Sequence, residues 1–221
     1  MFNVNEYISS LTKLLKDAYN ERIIYVGLQG SYLRNEATED SDIDIMVVVR
    51  DFSMSDLDVY KTAILSLEDY DKSCGFICGK EELLNWNPLE ICHLLHTTKD
   101  CYGKLAELVP GYTQNDVRSF VKMSLGNLYH ELCHRYIHTP KENSIENLPF
   151  AYKSVFFILQ NLHYLKSGSF IATKKELLSA LSGKDKQVLE NALYLSSQNE
   201  YDFDEAFELL FSWCKETMIN M

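Results

Sequence analysis

The sequence predicts an α+β protein, with a small sheet domain over residues 1–110 followed by an all-α helical bundle over residues 111–221. Three observations predict it. Short β-rich runs alternate with helical periodicity in the first half, and the second half holds helical patterns with no convincing strand. Between them, Pro110-Gly111 breaks the chain at a natural boundary.

Taken in order, apolar residues at Val4, Ile8, Leu11, Leu15 and Ala18 recur at helical spacing and predict a first helix over 4–19. RIIYVGLQ at 22–29 is β-rich and ends at Gly30. DIDIMVVV at 42–49 is a second strand, continuously apolar after Asp44, as in a strand covered on both faces. Ser55 and Asp56 can cap a helix running to about Leu67. GFIC at 75–78 predicts a third strand, followed by helical KEELLNW and LEICHLLHTT. From Pro88 onward no strand is expected. Past the boundary, Val117, Val121, Leu125, Leu128, Leu132 and Tyr136 step by four and three along one long amphipathic helix, which Pro140 ends. The next helix, from about Pro149 to Lys166, is apolar nearly all round and belongs in the middle of a bundle. Gly168 closes it, Gly183 separates two later helical stretches, and DEAFELLFSWCKETM is the last of about five helices.

Composition narrows the function. A formal charge of -11 argues against duplex nucleic acid, whose phosphates need Lys and Arg, and is compatible with a cationic ligand. The six cysteines form no C-x-x-C pair and read as reduced thiols of a cytoplasmic protein. The opening MFNVNEYISS has no basic segment followed by an apolar one, so no secretory signal is expected. Apolar runs such as VFFIL at 155–159 are too short to span a bilayer, and no membrane partner is expected. Oligomeric state is not legible.

HELCH at 130–134 matches the H-E-x-x-H pattern in which two histidines on one helix face hold zinc and the Glu activates water. Its surroundings argue otherwise. No third ligand stands at the expected spacing, where Ile137 and Pro140 lie instead, and no strand flanks the helix. His138 extends the row to three, but over ~12 Å of helix axis, too far for one tetrahedral ion. These histidines lie about 200° around the helix from the apolar stripe. The expected reading is a polar helix face.

GSYLRNEATEDSDIDIMVV at 30–48 has the stronger claim. Gly30-Ser31 follows a strand directly, so a turn there offers backbone N–H groups and a hydroxyl to an anion. YLRNEA then reads as a short helix. Asp42 and Asp44 open the next strand, where residues i and i+2 face one side with Cα atoms ~6.6 Å apart. Two such carboxylates can converge on paired divalent cations ~3.5–4 Å apart, the arrangement phosphoryl transfer uses.

These residues resemble the nucleotidyltransferase superfamily of DNA polymerase β, in particular small bacterial members with a pattern like G-S-x-A-R-G-E-A-T-x-x-S-D-I-D-L. The match holds at Gly30, Ser31, Arg34, Glu36, Ala37, Thr38, Ser41, Asp42, Ile43 and Asp44, and departs at Leu33 and Asn35. A small mixed-sheet nucleotidyltransferase domain followed by a helical bundle is the layout of the aminoglycoside nucleotidyltransferases. The resemblance implies that Gly30 and Ser31 contact the triphosphate of ATP or another NTP, and that Asp42 and Asp44 are the catalytic ligands of two Mg²⁺ ions.

It also implies a third carboxylate on the following strand, where this chain has Cys74 and Gly75; Asp71, just before, is one substitute. Glu131 on the helical half is another, as general base, and Lys153 is a candidate for the triphosphate. Arg34 is expected to pair with a nearby acid. The reading that results is Mg²⁺-dependent, in-line transfer of AMP to a hydroxyl of a small molecule, with an aminoglycoside-like antibiotic as the family-level acceptor. Two alternatives stand beside it: an antitoxin-like protein that nucleotidylates a partner protein, and a nucleotide-binding module that has lost catalysis.

Overall fold

The computed structural model describes residues 2–198 and 200–221. They form two compact units, one ending at Tyr112 and the other starting at Thr113.

The first unit opens with helix α1 (Val4–Tyr19), whose first turn is capped by the Asn3 side chain accepting from the Glu6 N–H at 3.3 Å. Strand β1 (Ile23–Leu28) leads into the short helix α2 (Gly30–Leu33), and β2 (Ile43–Val49) leads into α3 (Met54–Leu65). Strand β3 (Ser73–Gly79) is followed by α4 (Lys80–Leu84) and α5 (Pro88–His96), and β4 (Lys99–Tyr102) completes a sheet of order β3-β2-β1-β4. The sheet is mixed: β1 runs antiparallel to both β2 and β4, while β2 and β3 are parallel.

Alternation explains why β2 is apolar throughout. Ile43, Ile45, Val47 and Val49 pack with Ile8, Leu11 and Leu15 of α1. Met46 and Val48 face the other way, onto Tyr25, Leu83 and Leu105. The helix after β2 starts slightly earlier than Ser55 and Asp56 suggested. Ser53 is its N-cap, and Asp56 completes a capping box, accepting from the Ser53 N–H at 2.8 Å.

Strand β4 is one the sequence did not announce. KDCY is four residues long, its first three are exposed, and it carries no apolar alternation to signal a sheet edge. The helix expected over YLRNEA is shorter than its pattern, ending at Leu33, and Asn35 takes a left-handed φ of 56°.

Among the described residues the second unit is a bundle of five helices: α6 (Gln114–His138), α7 (Lys141–Ser167), α8 (Lys174–Ala180), α9 (Gly183–Leu195) and α10 (Phe203–Asn220). The predicted stripe on α6 is buried from Val117 to Leu132, while Tyr136 is exposed. Helix α7 lies at the centre of the bundle core through Val155, Phe156, Ile158, Leu159 and Leu162. It begins eight residues before the expected Pro149, which sits inside it. A proline there cannot donate to the carbonyl of Ile145. The hydroxyl of Tyr201 donates to that carbonyl instead, so the helix runs through with its backbone satisfied.

Candidate active site

The site is built where β1 ends and β2 begins. The Gln29 N–H donates to the Asp44 carbonyl at 2.8 Å, tying the two strands at this point. Gly30 follows with φ of 69°, a left-handed backbone that any other residue adopts at a cost. A Cβ built on Gly30 would stand 1.8 Å from Asp44 Oδ2 and 2.7 Å from its Cγ. The Asp44 carboxylate therefore lies directly against the Gly30 backbone, and no side chain fits between them.

Ser31 stands in the single turn of α2, and its carbonyl accepts from the Glu36 N–H at 2.9 Å, which folds the 30–36 segment back on itself. Inside that fold, Arg34 Nε lies 2.9 Å from Glu36 Oε2, so Arg34 has the acidic partner its position suggested. A second small turn delivers the other carboxylate. Ser41 Oγ accepts from the Thr38 N–H at 2.9 Å, and the Ser41 N–H donates to the Thr38 carbonyl at 3.2 Å.

Asp42 sits just ahead of β2 and is exposed, while Asp44 is half-buried on the strand. Ile43 between them turns fully into the core, which leaves both acids on the opposite side. Burial, and then the charge of Asp42, push the Asp44 carboxyl above the usual carboxylate range; Arg34 and a hydrogen bond with Cys74 oppose the rise. Arg34 also faces His93 of α5, whose pKa burial, with help from Arg34 and His96, lowers to about 4, so its imidazole is neutral at physiological pH.

Strand β3 decides what stands beside the pair. Its parallel register sets Cys74 directly across from Asp44, and the thiol is exposed. The next position cannot hold an acid. Gly75 has φ of 110°, and a Cβ there would lie 2.0 Å from the Ile45 carbonyl oxygen. Asp71 lies in the 3-10 turn before the strand, at Tyr70–Lys72. The neighbour of Asp44 on β3 is thus a thiol where a carboxylate is expected. The identity of Cys74 was plain in the sequence, but its pairing with Asp44 was not, because a parallel register is set by contacts between distant segments.

Gly30, Ser31, Asp42 and Asp44 thus fall together in the first unit. Glu131 and Lys153 belong to the second. Glu131 Oε1 is engaged by Arg135 Nε at 2.9 Å, one turn along α6. Lys153 is exposed on α7, its ammonium 4.6 Å from the centre of the Phe150 ring. His130, His134 and His138 form a row along α6 with ring centres 6.0 and 5.0 Å apart. Among the described residues, no three His, Cys, Asp or Glu side chains are grouped to hold a metal ion.

Residues 8–87 match the family model of the nucleotidyltransferase domain. No curated protein matches the chain. Among solved structures, the chain is similar in fold to spectinomycin adenyltransferase AAD(9) from Enterococcus faecialis, determined with ATP and spectinomycin. The TM-score is 0.61 at 16% identity, over 98% of this chain and 100% of that one. A nucleotidyltransferase-like protein from Exiguobacterium sibiricum aligns over 97% of this chain and 75% of its own at 13% identity, with a TM-score of 0.38, too low to bear on the fold. The matched segment lies within the first unit and contains the Gly30 turn and both aspartates, and the likeness to AAD(9) extends to the fold of nearly the whole chain.

Proposed function

We propose that the chain transfers a nucleoside monophosphate, most simply AMP from ATP, to a hydroxyl of a small-molecule acceptor. The observation that carries this reading is the packing of the Asp44 carboxylate against the Gly30 turn, with Asp42 two residues away on the same side. That arrangement sets two carboxylates beside a turn whose N–H groups and Ser31 hydroxyl suit phosphate oxygens.

The donors fit Mg²⁺. Two aspartates are hard oxygen ligands, and Mg²⁺ commonly takes one or two carboxylates and completes its shell with water and phosphate. Burial and mutual repulsion work against the ionised form of Asp44, a tension that a divalent cation held by Asp42 and Asp44 relieves. When bound, Mg²⁺ supplies charge neutralisation for the triphosphate and acidifies the attacking hydroxyl.

The remaining roles fall to the chain's own groups. The Gly30–Ser31 turn orients the phosphates, and the tight contact between Gly30 and Asp44 fixes the carboxylate against them. Lys153, which pairs with no carboxylate among the described residues, is assigned to the triphosphate. Glu131 is assigned as the general base, a role in which it must give up some of its bond to Arg135. A formal charge of -11 suits a cationic acceptor. Because AAD(9) was solved with ATP and spectinomycin, that antibiotic heads the acceptors to test, followed by aminoglycosides.

The test is incubation with α-labelled ATP, Mg²⁺ and the acceptor panel, with Asp42→Asn/Asp44→Asn as control. A labelled small-molecule product that the double variant does not make supports the reading. Label appearing in a protein band would replace it with modification of a partner protein. One observation favours a second reading, a nucleotide-binding module without turnover: Cys74 stands opposite Asp44 in place of a carboxylate. Tight ATP binding with no pyrophosphate released from ATP in the presence of any acceptor would establish that reading.

A further inference from the structure

The free edge of β4 adjoins the solvent face of α1, and the two bound a groove of about 610 Å³. None of Gly30, Ser31, Asp42 or Asp44 lines it. Three ammonium groups do: Lys13 and Lys16 from α1 and Lys99 from β4. Among the described residues none of the three has a carboxylate within 4.0 Å, in a chain of net charge -11.

Asp100, the acid lining the groove, is committed elsewhere. Its Oδ1 accepts from the Tyr25 hydroxyl at 2.9 Å and the Leu105 N–H at 3.2 Å, and its Oδ2 lies 3.5 Å from Lys104. Lys16 is held at the strand side, its ammonium 4.0 Å from the centre of the Tyr102 ring. The groove is therefore positive within an acidic protein, and one of its walls is an edge strand with no neighbour on its outer side among the described residues.

We infer that this groove receives an acidic, extended segment of a partner protein, which adds to β4 as a fifth strand. Two features favour an extended peptide over a compact anion. An edge strand offers a row of backbone N–H and C=O groups that only another strand can use in full. Lys13 and Lys16, three residues apart on one helix face, have Cβ atoms ~5–6 Å apart. Alternate side chains of a strand recur every ~6.6 Å on one side, so two acids at positions i and i+2 meet the two ammoniums. The lining is mixed, with Ile8 and Cys101 beside the lysines, Ser9 and Thr12, and the part of the attraction that the ammoniums supply falls with salt.

The test uses the full chain and a fluorescein-labelled peptide of alternating Glu and Val, followed by anisotropy at low and high salt. Its counterpart of alternating Lys and Val, a version N-methylated at every second residue, and inorganic triphosphate as competitor complete the set. The expected result is saturable binding of the acidic peptide at low salt, weakened at least about tenfold by Lys13→Glu/Lys16→Glu and by N-methylation. Both lysines are exposed on α1, so the double variant should keep its circular dichroism, with at most a small fall in melting temperature from the lost Lys16–Tyr102 contact. Absence of binding would leave the lysines as ordinary guards of a bare sheet edge and overturn the proposal. Equal binding of the N-methylated peptide, or displacement by triphosphate alone, would overturn strand addition in favour of a simple anion site. Self-association that Lys13→Glu/Lys16→Glu abolishes would give the face to a second copy and equally overturn it.

Discussion

Gly30→Ala separates the cost of a backbone from the cost of a misplaced carboxylate. Alanine at φ of 69° pays roughly 1–2 kcal/mol for the left-handed conformation. Gly168, which closes α7 at φ of 72° with nothing within 4 Å of an added methyl group, pays the same and no more. At Gly30 the new Cβ also meets Asp44 Oδ2 at 1.8 Å, where ordinary contact begins at 3.4 Å, so the carboxylate must retreat by about 1.6 Å. Misplacement of a reacting group by ~1 Å costs on the order of 10²-fold in rate. Both variants should therefore melt ~2–8 °C below the parent, at ~2–4 °C per kcal/mol for a chain of this size. Only Gly30→Ala should lose turnover, by ~10²-fold or about 2.7 kcal/mol in the barrier. The assay is pyrophosphate release alongside scanning calorimetry. Full turnover in Gly30→Ala, or an equal loss in Gly168→Ala, would show that the contact with Asp44 does not set the rate.

Further expectations concern the neighbours of the site and the frame that holds it. Cys74→Asp places a carboxylate in register with Asp44; if the chain lacks a base, turnover should rise by ~10²-fold, the low end for general-base catalysis. If Glu131 already serves, Cys74→Asp should change little and Glu131→Gln should lower turnover instead. In the frame, Arg22 at 2.7 Å and then Ser53 hold Asp56 below the usual carboxylate range, although burial opposes them. A depressed folded pKa adds stability above the unfolded value of ~3.9, and that stability is lost as pH falls through the folded value. Asp56→Asn should thus cost ~1–2 kcal/mol at neutral pH and flatten the acid limb of the melting curve. A variant whose acid limb matches the parent would count against that pairing. Finally, metal-free protein should take up no stoichiometric zinc, and His134→Ala should turn over normally; zinc bound one-to-one and lost in His134→Ala would reinstate the metal reading of HELCH.

How much of the fold and the site was legible depended on whether the signal was local. Strand β2 announced itself because both of its faces are buried, which leaves an unbroken apolar run. The Asp42–Asp44 pair was legible through the two-residue period of a strand, although the strand starts at Ile43 and Asp42 lies just outside it. Strand β4 hid because an edge that buries little needs no apolar alternation. The first part of α7 hid behind Pro149, since its continuation depends on Tyr201, far downstream in the chain, donating to the Ile145 carbonyl. The juxtaposition of Cys74 with Asp44, the influence of Arg34 on His93 and the collision that forbids a side chain at Gly75 all depend on register or tertiary packing, which one sequence does not display.

The proposed chemistry requires that Asp42 and Asp44 hold a nucleotide's phosphates through a divalent cation beside the Gly30 turn. Titration calorimetry of a non-hydrolysable ATP analogue, with Mg²⁺ and with EDTA, probes that requirement in the parent and in Asp42→Asn/Asp44→Asn. Binding should need Mg²⁺ and disappear in the double variant, while the variant's melting temperature in EDTA stays at or above the parent's. Binding that ignores Mg²⁺, or survives loss of both carboxylates, would mean that the phosphates are held some other way.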